Sequence, residues 1–339
     1  MFIRKLSAAA MSMAAAALCL TGCSASVTSQ EAVKKGQAGA SSDKLSIVCT
    51  IFPEYDWVKE IMGDHAKDAD ITYLLDSGTD LHNFQPTASD IMTISSCDLF
   101  IHVGGESDKW VDDALSEAVN KDIKVIDLMD VIGDRAKEEE IKEGMEAEEE
   151  EEGEEGEEET EYDEHVWLSL RNAKIICKEI ADQLSALDPE NAADYGSSFE
   201  DYSKKLDEMD ESFRTLTESS DKNTLIFGDR FPFRYFFDDY GLDYYAAFVG
   251  CSAESEASFK TVSFLAEKIG ELKCDTIFTI ESSDKSIAES IIRNSDNKKC
   301  GIAVLNSLQS VTASDLKSGV TYLSLMQQNY DVLAEYLGS

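Results

Sequence analysis

The sequence predicts an α/β protein of two lobes, each a mostly parallel sheet flanked by helices, joined by a long rigid helix. Three observations predict it. From residue 44 onward, short apolar runs rich in β-branched residues alternate with helical patterns, as in open parallel sheets with helices on both faces. The same alternation resumes after residue 224. Between the two halves, a helical pattern runs from Asp188 to about Thr217, with Tyr202, Leu206, Met209, Phe213 and Leu216 at three- and four-residue steps. At 1.5 Å per residue such a helix is roughly 40 Å long, enough for a rod between two lobes with a cleft between them.

In the first half, strands are predicted at 45–51, 71–75, 99–103 and 124–128. Helices are predicted at 55–62, closed by Gly63, at 87–96 with Ile91 and Ile94 inward, and at 107–119. A further helix covers 170–187, with Ile175, Ile176, Ile180 and Leu184 near one face. Asp188-Pro189-Glu190 has the form of an N-cap, a first-turn proline and an acidic first turn for the linking helix. In the second half, strands are predicted at 224–227, 244–249, 276–280 and 302–305, and helices at 233–240, 258–272, 284–294 and 321–337. The organisation expected is a signal segment (1–22), a flexible tether (23–43), an N-terminal lobe (44–187), the linking helix (188–220) and a C-terminal lobe (221–339).

Charge is concentrated in one stretch. Between Glu138 and Glu164, seventeen Glu and one Asp stand against one Lys, so 27 residues carry −17 of the chain's −38. Such a block repels itself and is expected to be a solvated, mobile loop. It is either a solubilising spacer or a collector of divalent cations, which carboxylate oxygens bind. The acidic balance excludes nucleic acid and anionic surfaces as natural partners and suits a cationic ligand.

The N-terminus carries Arg4 and Lys5, an apolar Ala-rich segment, and then Leu20-Thr21-Gly22-Cys23. This is the plan of a secretion signal, too short for a stable membrane span. Its ending resembles a bacterial lipobox, which implies cleavage before Cys23 and lipid on that thiol. Beyond Cys19 and Cys23 there are Cys49, Cys97, Cys177, Cys251, Cys274 and Cys300, none in C-x-x-C spacing. An exported chain tolerates disulfides, with Cys274 and Cys300 the first pair to test. The alternative is that most of the six are small buried residues.

Of four histidines, His82 lies in a polar loop after a strand, where open α/β sheets bind ligands. His165 ends the acidic run, immediately before Val166 and Trp167. His65 reads as a surface residue and His102 as core. Neutral imidazoles suit zinc and other first-row metals. Further oxygen ligands would have to come from the second half, at Asp229, Glu281 or Asn306, all at strand ends. The chain lacks G-x-S-x-G, H-E-x-x-H and a phosphate-cradling glycine loop, so no enzymatic activity is expected.

Together these segments resemble the solute-binding lipoproteins of zinc and manganese ABC importers. Asp80-Leu-His-Asn-Phe-Gln-Pro-Thr87 is similar to that family's first ligand loop, and Asp163-Glu-His-Val-Trp-Leu168 to its second ligand motif. Ile51-Phe-Pro-Glu-Tyr-Asp-Trp57, Asp98-Leu-Phe-Ile-His-Val-Gly-Gly105 and Tyr235-Phe-Phe-Asp-Asp-Tyr-Gly-Leu242 also match. The acidic run occupies the position of the family's charged, often His-rich loop. The resemblance implies one metal in the interlobe cleft, held by His82 and His165 with Asp229, Glu281 and Asn306 as C-lobe candidates. Arg230 stands where the family has His or Glu, and Asn306 where it has Asp. It further implies Zn²⁺, or else Mn²⁺, as cargo, a permease with a cytoplasmic ATPase as partner, and a monomer anchored outside the cytoplasmic membrane through Cys23. The alternative is an adhesin or structural lipoprotein of the same fold.

Overall fold

The computed structural model describes residues 44–146, 161–252 and 256–338. The signal segment, Cys23 and the tether, and residues 147–160 of the acidic run, lie outside the described residues.

The first lobe is a four-stranded parallel sheet of β1 (Ser46–Cys49), β2 (Asp70–Tyr73), β3 (Leu99–His102) and β4 (Lys124–Asp127), in the order β2-β1-β3-β4. Helices α1 (Phe52–Met62), α2 (Ala88–Ser96), α3 (Trp110–Ser116), α4 (Leu128–Ile132) and α5 (Leu170–Leu187) cover it. β1 and β3 are the central strands and are buried along almost their whole length, which is why they read as unbroken apolar runs. The second lobe repeats the topology. Strands β5 (Thr224–Phe231), β6 (Asp243–Val249), β7 (Thr276–Ile280) and β8 (Gly301–Leu305) are parallel in the order β6-β5-β7-β8. Its helices are α7 (Arg234–Tyr240), α8 (Phe259–Glu271), α9 (Ser286–Asn294), α10 (Ala313–Lys317) and α11 (Tyr322–Leu337). Thr87, Ser258 and Thr321 cap α2, α8 and α11 with their hydroxyls, and Gly241 closes α7 in the left-handed region at φ 64°.

The linking helix α6 (Ala192–Glu218) has 27 residues. It begins later than expected. Asp188 instead ends α5, and its Oδ2 accepts from the Tyr195 hydroxyl at 2.6 Å and from Asn191 Nδ2 at 2.8 Å. Near its start Tyr195 is buried against His65 of the first lobe, and near its end Phe213 packs on Phe236, Tyr240 and Tyr330 of the second. Helix α11 makes a second connection. The Tyr322 N–H donates to Asp56 Oδ2 at 2.8 Å, its hydroxyl donates to Trp167 O at 2.7 Å, and its ring lies 5.1 Å from Trp57. At the other end of α11, the Tyr336 hydroxyl donates to Thr224 O at 3.1 Å.

Several expectations are corrected. Ile175 is 36% exposed, on the outer side of α5, while Ile176, Ile180 and Leu184 form its buried stripe. The acidic run is not uniformly solvated. Asp163 and Glu164 are buried, Glu139 N–H donates to Glu161 O at 3.0 Å, and Glu146 N–H donates to Ala247 O at 2.9 Å on the second lobe. Backbone pairing and buried acceptor sites hold these ends where charge alone would expel them. All six cysteines in the described residues are free thiols, so Cys274 and Cys300 are not joined; both are buried in the second-lobe core. His65 is partly exposed and bonded to Asp194 at 2.9 Å, and His102 is buried in β3.

Candidate metal centre

Both expected histidines sit where the two lobes meet. His82 lies in the loop after β2, in a short 3₁₀ turn (Leu81–Asn83) whose preceding residue, Asp80, accepts the His82 N–H at 3.0 Å. Buried Leu81 pins the turn to the first-lobe core. His165 precedes a second 3₁₀ turn (Val166–Leu168), all three residues of which are fully buried. Its anchor is Trp167, whose indole Nε1–H donates to Ser307 O across the cleft at 2.9 Å.

The two imidazoles face each other with Nε2 atoms 3.1 Å apart. Their outer nitrogens meet polar partners. His165 Nδ1 is 3.0 Å from Asp163 Oδ1, which also accepts the His165 backbone N–H at 2.8 Å. His82 Nδ1 is 2.8 Å from Ser107 Oγ and 3.5 Å from Glu164 Oε2. Ser107 N–H in turn donates to Glu164 Oε1 at 2.9 Å. Asp163 only accepts, so it places the His165 ring proton on Nδ1 and turns that ring's Nε2 lone pair toward His82; Ser107 Oγ can donate or accept, so either nitrogen of His82 can carry its proton. With His82 protonated at Nε2 the rings hydrogen-bond across that gap; with it protonated at Nδ1 two lone pairs face one point and suit a shared cation. Burial and the neighbouring His165 ring push the His82 pKa down to about 3, so a proton is a poor occupant. A metal ion is the fitting one.

The surroundings are acidic. The cleft beside the imidazoles, about 320 Å³, is lined by His82, Ser107, Glu139, Tyr162, Glu164 and Cys251. Burial raises the pKa of Glu139 and of Glu164, and Glu164 Oε2 is a buried oxygen without a hydrogen-bond partner. A divalent ion nearby would favour the charged form of both carboxyls.

The structure uses the expected second-lobe residues in other ways. Asp229 Oδ1 accepts from Arg230 N–H at 2.9 Å and Oδ2 from Ile280 N–H at 3.2 Å. Glu281 accepts from Ser307 N–H at 2.7 Å, Ser307 Oγ–H at 2.8 Å and Ser310 N–H at 3.3 Å. Asn306 Oδ1 accepts from Leu308 N–H at 2.8 Å. Asp229 thus ties β5 to the end of β7, and Glu281 and Asn306 brace the loop that follows β8. Arg230 reaches the first lobe instead of the metal point, pairing with Asp80, whose pKa it holds down against the opposite effect of burial. Among the described residues, the set of His, Cys, Asp and Glu side chains whose donor atoms all lie within 4.8 Å of one another is His82, His165 and Cys251. Cys251 was missed because no spacing rule joins it to either histidine. The one available signal was its place after a strand, the address that singled out Asp229, Glu281 and Asn306.

Comparison with known proteins places the chain in a family. Residues 47–336 match the family model described as ZnuA, zinc-uptake complex component A, periplasmic. The chain is 30% identical over 304 residues to the high-affinity zinc uptake system protein ZnuA of Bacillus subtilis (strain 168), covering 89% of this chain and 91% of that one. It is 29% identical over 299 residues to the zinc-binding lipoprotein AdcA of Streptococcus pneumoniae (strain ATCC BAA-255 / R6), covering 86% of this chain and 56% of that protein. The chain thus spans little more than half the length of the AdcA relatives it matches. Among solved structures, the Zn(II)-bound ZnuA-like domain of Streptococcus pneumoniae AdcA superposes with a TM-score of 0.67 at 26% identity, covering 87% of this chain and all of that one. With the match running through both sheets and both histidine turns, the chain belongs to the ZnuA family of zinc-uptake components.

Proposed function

We propose that this protein captures a divalent metal ion outside the cytoplasmic membrane, Zn²⁺ in preference to Mn²⁺, and delivers it to an ABC permease driven by a cytoplasmic ATPase. The observation that carries the reading is the pair of Nε2 atoms 3.1 Å apart, each with its outer nitrogen held by a hydrogen-bond partner, Ser107 Oγ for His82 and Asp163 Oδ1 for His165. Zinc–nitrogen bonds of about 2.0–2.1 Å at a tetrahedral angle separate two nitrogens by about 3.3 Å, close to this spacing. Capture is ligand exchange: two neutral imidazoles displace water from the ion, and no covalent bond to carbon is made or broken. His82 and His165 are the first-lobe ligands. Asp229, Glu281 and Asn306, the other expected ligands, hydrogen-bond within the second lobe, Asp229 to the end of β7 and Glu281 and Asn306 to the loop after β8. The N-terminal lobe (44–187) and C-terminal lobe (221–339) would part about the helix at 188–220 to release the ion. Lipid on Cys23 would hold a monomeric protein at the outer face of the membrane. The paired imidazoles give this reading a specific carrier that the adhesin reading lacks.

The test is a calorimetric titration of the metal-free protein with Zn²⁺ and with Mn²⁺, beside the His82→Ala, His165→Ala double variant. One tight zinc site, weakened at least about tenfold in the variant, is expected. Weak binding at several sites, unchanged in the variant, would remove the cleft as a capture site.

A further inference from the structure

Of the six cysteines in the described residues, five are buried and one lines the acidic cleft. Cys251 follows Val249 and Gly250 at the carboxyl end of β6, and its sulfur shares the 4.8 Å set with the two imidazoles. Its backbone is held from two sides. The Cys251 N–H donates to Glu139 Oε1 at 3.3 Å, and Arg230 Nη1–H donates to Ser252 O at 3.4 Å. Through its other terminal nitrogen, Arg230 pairs with Asp80, which caps the turn carrying His82. The arginine standing where the resemblance calls for a ligand therefore ties the cysteine turn to the histidine turn. Gly250 completes the approach. A Cβ there would lie 3.0 Å from His165 Cε1, so only glycine lets the β6 end come this close to the ring.

We propose that Cys251 is the second-lobe ligand of the captured ion, a thiolate in place of the imidazole or carboxylate that Arg230 displaces. This rests on the capture reading and adds to it the donor that sets metal preference. A zinc–sulfur bond of about 2.3 Å beside a zinc–nitrogen bond of about 2.0–2.1 Å puts sulfur about 3.6 Å from each nitrogen. The sulfur needs to move inward by little more than about 1 Å from the outer bound of the observed set, a local adjustment of the 250–252 turn. On binding, the thiol gives up its proton to solvent and its sulfur donates a lone pair to the metal. Soft sulfur suits zinc and disfavours the harder Mn²⁺, which prefers oxygen. The two lobes would then each contribute: both imidazoles from one, the sulfur from the other.

Cobalt(II) is the probe, titrated into the purified metal-free full chain and followed by absorption. A cobalt–thiolate bond gives a charge-transfer band in the near ultraviolet that nitrogen and oxygen ligands do not. The expected result is tight binding with that band, its loss in Cys251→Ser and Cys251→Ala, and a ten- to hundredfold weaker zinc affinity in both. Cys251→His is expected to regain zinc affinity without the band. Tight cobalt binding to the parent chain that depends on His82 but lacks the band would overturn the cysteine assignment and leave the capture reading standing. Absence of tight binding in the parent chain would overturn both. The parent spectrum decides by itself if a variant fails to fold.

Discussion

Replacing Gly250 by alanine adds one methyl group at the contact between the lobes. That Cβ would lie 2.8 Å from Phe231 O, 3.0 Å from His165 Cε1 and 3.1 Å from His165 Nδ1. Ordinary contacts between carbon atoms are about 3.5–4.0 Å, so the ring or the strand end must move by roughly 0.5 Å. The carbonyl belongs to β5 and cannot yield alone, and the ring is held at Nδ1 by Asp163. Metal sites tolerate displacements of about 0.2 Å in ligand distance. Overpacking of this kind costs about 1–3 kcal/mol. If that strain is largest when the lobes close on the ion, zinc affinity falls by about ten- to hundredfold, at 1.4 kcal/mol per factor of ten. The assay is competition for zinc against a chelator of known affinity, with urea unfolding of the metal-free protein to apportion the strain between fold and site. Zinc affinity within about twofold of the parent, with unchanged stability, would refute the reasoning, because the close approach would then have no consequence.

The remaining predictions concern His82 and Trp167. His82 is held near pKa 3 in the folded protein, against about 6.5 when unfolded, so between those values the unfolded chain binds a proton that the folded chain refuses. Stability then falls as pH drops below the unfolded value, and metal-free His82→Asn is expected to lose about 2 kcal/mol less than the parent between pH 7 and pH 5. Urea midpoints at the two pH values check this, and equal losses in both proteins would contradict it. Trp167→Phe keeps an aromatic ring in the buried place but removes the pyrrole half of the indole, and with it the Nε1–H that donates to Ser307 O across the lobes, so a small cavity adds to the lost bond. Leaving that carbonyl without this donor is expected to lower stability by about 1–3 kcal/mol, read from the urea midpoint; a change within experimental error would mean the bond carries no net stability.

Most of the fold was legible because its signals are local. The eight strands among the described residues fall on the apolar runs that predicted them, and α5 occupies the residues its pattern marks. The misses have physical causes. Helices α4 and α10 are five residues each, too short to show a period, although Thr312 and Asp315 form a capping box at α10. Asp188 has N-cap chemistry, but the Tyr195 hydroxyl and Asn191 claim its carboxylate. Strand β5 runs four residues beyond Phe227, past an irregularity in its pairing with β6 that periodicity does not reveal.

The sequence by itself determined the two-lobe α/β architecture, because a buried parallel strand must be apolar and a helix must be periodic wherever they lie. It also singled out the two histidines, each inside a motif whose neighbours create the turn that presents it. Only the tertiary structure decided what faces them. His82 and His165 are 83 residues apart and meet through Nε2 atoms because separate turns converge at the sheet ends. Arg230, Glu281 and Cys251 are equally polar strand-end residues in the chain. One pairs with Asp80, one braces the Ser307 loop, and one brings its sulfur within 4.8 Å of both imidazoles. Which does which depends on distances of a few ångströms between elements far apart in sequence, and no local pattern encodes those distances.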